Sequence, residues 1–245
     1  MSATGELWSY LTTADHWWGV RGIARGMYDH LRLSLGAVAV AGVMAVPAGM
    51  VLGHVRRGGV VASTVVNLGR AIPSFAVIAL LFPLSLAYGF GLGFWPTFVA
   101  LVLLAVPPMF TNTYAGVRDV DAGVVEASRG MGMTARDVLL SVEVPNALPL
   151  IITGVRVATV QVIATATLSA LVAFRGLGDL IIGGVAQNDD GKLLTGALLV
   201  AILAILAELV FGVLERRLTP WARRGAATGR VHDVTITPEL DPTST

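Results

Sequence analysis

The 245-residue chain contains no cysteine, a single lysine, and charged side chains at only 13% of its positions. Without cysteine there is no disulfide framework and no thiolate-ligated zinc or iron–sulfur centre. A soluble globular domain usually carries about 25% charged residues, so the chain lacks the charge that a water-facing surface requires. Apolar residues fill the gap, at 55% of the whole and a mean hydropathy of +0.75. The few charges nearly cancel, to +1, which leaves no basic surplus for nucleic-acid phosphates. These shortages describe a membrane protein.

Absent motifs narrow the chemistry further. A G-x-x-x-x-G-K-[ST] phosphate cradle needs a lysine in a fixed frame. Lys192 follows Gly191 but precedes Leu193, and Ala186 stands where the first glycine belongs. The run Gly130-Met131-Gly132-Met133-Thr134-Ala135 spells the dinucleotide pattern G-x-G-x-x-A by letter, with no strand before it and no βαβ unit around it. The four histidines are scattered, and Asn188-Asp189-Asp190 reads as a solvated acidic loop. No catalytic residue, metal site or cofactor is expected. The first residues lack the apolar run and small-residue cleavage site of a secretory signal. Trp8, Tyr10, Trp17 and Trp18 suit an interfacial segment at headgroup level instead.

What the chain does have is apolar length. A bilayer core of about 30 Å takes about 20 helical residues, and residues 71–117 carry no charge at all, room for two spans. Five spans account for the pattern, at about 31–53, 60–88, 95–117, 148–174 and 193–214. The expected fold class is all-α and polytopic. Residues 1–30 form an extracytoplasmic or interfacial segment, 31–217 the membrane domain, and 218–245 a polar, disordered cytoplasmic tail. Basic residues gather on the cytoplasmic side of membranes. With the N-terminus outside, the inner segments hold ten basic residues and the outer ones five, so the C-terminus is expected inside. The charged stretch 118–146 then faces the cytoplasm, as two short helices joined by a bend at Gly130 and Gly132 and stopped by Pro145.

That stretch carries the informative spacing. Glu126-Ala127-Ser128 is followed after three residues by Gly132, and nine residues later by Val142-Glu143-Val144-Pro145. Small residues at 127, 128, 130 and 132 let a short helix lie close against another protein, and Glu126 can make a charge-assisted hydrogen bond to it. A plain helix–turn–helix connector is the alternative. The segment resembles the cytoplasmic loop signature of membrane subunits of binding-protein-dependent ABC importers: E-A-A, three residues, G, nine residues, I-x-L-P. Ser128 replaces the second alanine, and Val142 and Val144 replace isoleucine and leucine. Asn67-Leu68-Gly69-Arg70-Ala71-Ile72-Pro73-Ser74, Pro107-Pro108-Met109-Phe110, Ile163-Ala164-Thr165-Ala166-Thr167-Leu168 and Gly176-Leu177-Gly178 are similar to permease subunits of osmoprotectant importers, which carry glycine betaine, choline, carnitine or proline betaine.

The resemblance implies a type I ABC importer transmembrane domain in the cell membrane. Its implied partners are cytoplasmic ABC ATPase subunits, a second permease copy or paralogue, and an extracytoplasmic substrate-binding protein, with ATP hydrolysed on the partner. Glu126, Ala127, Ser128, Gly130, Gly132, Val142 and Pro145 would couple the ATPase to the spans. Inside the spans, Arg70 beside Pro73 suits the protein interior, Arg156 snorkels to the cytoplasmic surface, and Glu208 pairs with either arginine. Asn112, Gln161, Thr165 and Thr167 either line a path for a small zwitterion or act as interhelical glue. Two alternatives stay open: an ABC permease for another small solute such as an amino acid, and an ion-driven secondary transporter that relays charge through Arg70 and Glu208.

Overall fold

The computed structural model describes residues 3–20, 22–56, 64 and 73–220. Among them there are helices and no strand. In chain order these are α1 (Ala3–Thr12), a 3₁₀ turn at Ala14–His16, α2 (Ile23–Val55), α3 (Ser74–Ala87), α4 (Phe94–Arg118), α5 (Ala122–Gly130) and α6 (Ala135–Val138). A π turn (Leu139–Glu143), α7 (Val144–Thr165), a 3₁₀ segment (Ala166–Val172), α8 (Leu177–Gln187) and α9 (Asp190–Leu218) complete the bundle. Four continuous helical stretches are long and apolar enough to cross a membrane: Ile23–Val55, Phe94–Arg118, Ala135–Val172 and Asp190–Leu218. They contain the first, third and fifth expected spans and all of the fourth but residues 173–174. Of the second, α3 is the described part. Arg70 and residues 221–245 lie outside the described residues.

The bundle is held at its centre by α2 against α4. Ala37, Ala41, Ala45, Gly49 and Gly53 recur every fourth residue and are all buried, so they form one stripe on α2. Water does not drive helices together inside a bilayer, and close backbone approach over small residues takes its place. A Cβ at Gly49 would stand 2.9 Å from Thr113 Cβ, and one at Gly53 2.8 Å from Val117 Cβ. Leu33, Leu101, Met109, Phe110 and Val162 fill the core around that contact.

The first span starts at Ile23, ahead of the expected Leu31. The polar groups that mark the early turns have partners: Arg25 Nε contacts Asp29 Oδ2 at 3.1 Å, and the His30 ring bonds the Ile163 carbonyl at 3.0 Å. The four expected interfacial aromatics divide. Trp8 and Trp18 are exposed, whereas Tyr10 stacks on His16 and Trp17 Nε1 donates to the Leu11 carbonyl. α1 rests on the start of α9, where a Cβ at Gly191 would lie 2.7 Å from the Glu6 carbonyl oxygen. Burial, and secondarily the Asp189 carboxylate, raises the Tyr10 hydroxyl above its ordinary pKa.

The helix after the loop departs from expectation. Pro145 was expected to stop a short helix, yet the chain runs helically from Ala135 to Val172. A proline inside an α-helix has no N–H to give and its ring crowds the carbonyl four residues back. Here the π turn absorbs both problems. The Val144 N–H reaches back to the Leu139 carbonyl, the wider turn makes room for the ring, and Asn146 Nδ2 donates to the Val142 carbonyl at 2.7 Å. The loop therefore contains one free-standing helix, α5, and the base of a long one.

Candidate functional site

α5 stands at the end of the bundle where α2 and α9 finish. Asp121 caps its start, the carboxylate accepting the Val124 N–H at 3.1 Å. Its finish is a Schellman motif: the Met133 N–H donates to the Ser128 carbonyl and the Gly132 N–H to the Arg129 carbonyl. Gly132 has φ +86°, a left-handed conformation that costs a side chain about 1–2 kcal/mol. The glycine of the spaced motif thus closes the helix. Thr134 and Asp137 then form a capping box that opens α6.

α5 has two faces. Val125 and Ser128 are buried against the bundle, and the Ser128 hydroxyl donates to the Val124 carbonyl at 2.7 Å. Ser128 therefore faces inward, unlike the other small motif residues. Gly123, Ala127 and Gly130 are exposed, with Val124 and Met131 beside them at 47% and 76% exposure. Nothing lies within 4 Å of a Cβ built at Gly130 or Gly132. Glu126 is exposed beside this ridge. A small, apolar, low-relief ridge with one carboxylate on a nine-residue helix suits insertion into a cleft of another protein.

The second half of the motif is built into the bundle. Val142 and Pro145 are partly buried, and Glu143 between them is fully buried. Glu143 Oε2 lies 2.5 Å from Nδ1 of His54, in the last turn of α2. The next turn of chain grips the other end of the loop, where Arg56 Nη2 donates to the Val120 carbonyl at 3.1 Å. Sequence reasoning passed over both residues, counting His54 among four scattered histidines and Glu143 as the variable position of the motif. The available signal was a lone carboxylate between Leu139 and Leu150 in an otherwise uncharged run.

Among the described residues, the span candidates do not gather into one site. Thr111 and Asn112 donate to the Pro107 and Pro108 carbonyls at 2.7 and 2.8 Å, so Asn112 is spent on its own helix. Thr167 donates to the Ala164 carbonyl. Gln161 and Thr165, on α7, are partly buried. Glu208 pairs with Arg156, Oε1 to Nε at 3.2 Å, and Arg156 Nη1 also meets Glu215 Oε2 at 3.4 Å. Arg156 is thus clasped between two carboxylates of α9 rather than snorkelling free.

At the opposite end of α2 a cleft of about 680 Å³ opens among Arg25, Asp29, Arg32, Phe174 and Arg175. Among the described residues, three guanidiniums and one carboxylate line it, and the carboxylate is already paired with Arg25. Arg32 lies over the Phe94 ring at 5.6 Å.

Residues 45–220 match the family model of the binding-protein-dependent transport system inner membrane component. The carnitine transport permease protein OpuCB of Listeria monocytogenes is 39% identical over 202 residues, covering 82% of this chain and 90% of that protein. The choline transport system permease protein OpuBB of Bacillus subtilis is 38% identical over 193 residues, 79% of this chain and 87% of its own length. Among solved structures, a chain of the inward facing MetNI methionine ABC transporter shares the fold. Its TM-score is 0.70 at 24% identity, over 80% of this chain and 96% of that one.

Proposed function

This chain belongs to the binding-protein-dependent transport system inner membrane component family, and from that premise we propose that it is the permease subunit of an ATP-driven importer of osmoprotectants, the small quaternary amines glycine betaine, choline and carnitine. The relatives named for carnitine and choline transport support the solute class, since they align over four-fifths of the chain. The observation that carries the mechanism is α5: a capped helix, braced on its inner face by Val125 and Ser128, with an uncovered ridge of Gly123, Ala127 and Gly130. A separate cytoplasmic ATPase subunit receives that ridge and hydrolyses the ATP.

The rest follows from that contact. The α5 end of the bundle faces the cytoplasm and the arginine-rimmed cleft faces outward, where the substrate-binding protein delivers the solute. A second permease copy or paralogue faces this one across the path. Closure of the ATPase pair drives the two α5 helices together and shifts the spans between inward- and outward-open states. Such a shift needs a two-state element biased from a distant site. The deciding experiment is uptake of labelled glycine betaine by cells without their own osmoprotectant systems, supplied with this chain and its companion subunits. Uptake that disappears with a hydrolysis-dead ATPase is the expected result. Uptake that persists would point to an ion gradient, and no uptake with an assembled complex would reject the solute class.

A further inference from the structure

We infer that α2 is the rod that carries the ATPase stroke from the coupling loop to the outward cleft, and that the His54–Glu143 pair is its joint. The inference rests on the proposed function and adds to it a path for the motion and the two positioning residues that engage it.

The geometry joins three facts. First, the last turn of α2 and the residue after it hold the loop at both ends, His54 on Glu143 at 2.5 Å and Arg56 on the Val120 carbonyl at 3.1 Å. A displacement of α5 therefore reaches α2 through two anchors rather than through the turn at Gly132. Second, α2 is one helix of 33 residues, about 50 Å long at 1.5 Å per residue. Its far end supplies Arg25, Asp29 and Arg32 to the cleft. Third, the small-residue stripe seats α2 flush on α4, a surface along which a helix can shift as a unit.

The pair is an unlikely device for stability alone. Glu143 is fully buried, and its Oε1 has no hydrogen-bond partner. Replacing both partners of a buried hydrogen-bonded pair by apolar groups of the same shape can be nearly neutral, while removing one partner leaves the other unsatisfied at a cost of about 1–3 kcal/mol. What such a pair does supply is a directional link between two elements. Here it links the motif's own variable position to the helix that ends at the cleft.

The test uses the full complex in proteoliposomes, with binding protein and ATPase present. The chain has no cysteine, so Val20→Cys at the rim of the cleft gives a single site for a maleimide. With the pair intact, trapping the ATPase with ATP and vanadate should change the labelling rate several-fold. The double variant His54→Leu, Glu143→Met keeps volume and leaves no buried charge unpaired. It should still bind the ATPase and hydrolyse ATP, yet its labelling rate should no longer respond to trapping. Solute moved per ATP should fall about tenfold, within the usual range of coupling between sites. A labelling response that survives in the double variant, or one absent with the pair intact, overturns the inference. A second reading needs no substitution: on trapping, amides of residues 50–55 and 139–146 should change hydrogen-exchange protection together, and a change in the loop alone overturns it. If the unsubstituted complex shows no ATP-dependent uptake, the proposed function fails rather than the joint.

Discussion

Arg156 and Glu208 tie α7 to α9 through a 3.2 Å contact between Nε and Oε1, and Glu215 adds a second carboxylate two turns further along at 3.4 Å. An arginine within a span is costly when unpaired, and here one guanidinium has two partners. Polar contacts between membrane helices average about 0.6 kcal/mol, with a maximum near 1.7.

Because the two carboxylates share one arginine, their removal should not be additive. Glu208→Gln and Glu215→Gln should each lower stability by under about 1 kcal/mol. The double variant should lose more than the two single losses combined, since Arg156 then has no partner. Reversible unfolding in mixed micelles measures this, and simple additivity would argue against a shared clasp.

Gly130 and Gly132 separate docking from backbone geometry. Gly130 is helical and faces open space, so Gly130→Trp should leave the melting temperature unchanged and abolish co-purification of the ATPase. Gly132→Ala adds almost no bulk but enters a left-handed φ, so it should cost about 1–2 kcal/mol and weaken co-purification only partly. Equal loss of ATPase binding in both variants would contradict this division.

Gly178 should tolerate no side chain. A Cβ there would lie 2.0 Å from the Thr167 carbonyl oxygen, and both partners are backbone. Gly178→Ala should destabilise by more than the roughly 1–3 kcal/mol typical of overpacking and should reduce the amount of folded protein in the membrane. Normal yield and melting temperature would mean that the α8 junction relaxes freely.

The arginine-rimmed cleft should answer to charge. With three guanidiniums facing one carboxylate, stimulation of the ATPase by binding protein should need a higher binding-protein concentration in the Arg32→Glu, Arg175→Glu variant. It should also weaken with salt in the unsubstituted protein, because complementary charge mainly sets the association rate and salt screens it. A response insensitive to both charge reversal and ionic strength would place the contact elsewhere.

Hydropathy revealed most of the architecture, because a bilayer imposes one rule of length and one of polarity on every span. It erred where charges cancel locally. Arg25, Asp29 and His30 look like a polar border when counted singly, yet Arg25 pairs with Asp29 within the first turns of α2 and His30 bonds the Ile163 carbonyl of α7. α8, at 11 residues, is too short for a span-length window. The α5 half of the candidate site was visible as spacing, including the glycine that closes α5. The inward turn of Ser128 was not, since a three-letter motif does not say which side of a helix faces the bundle. Nor could spacing pair His54 with Glu143, 89 positions apart. That contact depends on how α2 finishes beside α7, and small residues on α2 and α4 govern the seat.

The π turn at Leu139–Glu143 also acts as a phase setting. An α-helix turns through 100° per residue, and a π turn amounts to one residue inserted into that progression. The nine residues between Gly132 and Val142 therefore count out an azimuth as well as a length. Wound as unbroken α-helix, the same residues would swing everything before them, α5 included, about a quarter turn around the axis of the long span. The exposed ridge of α5 would remain intact and point in another direction.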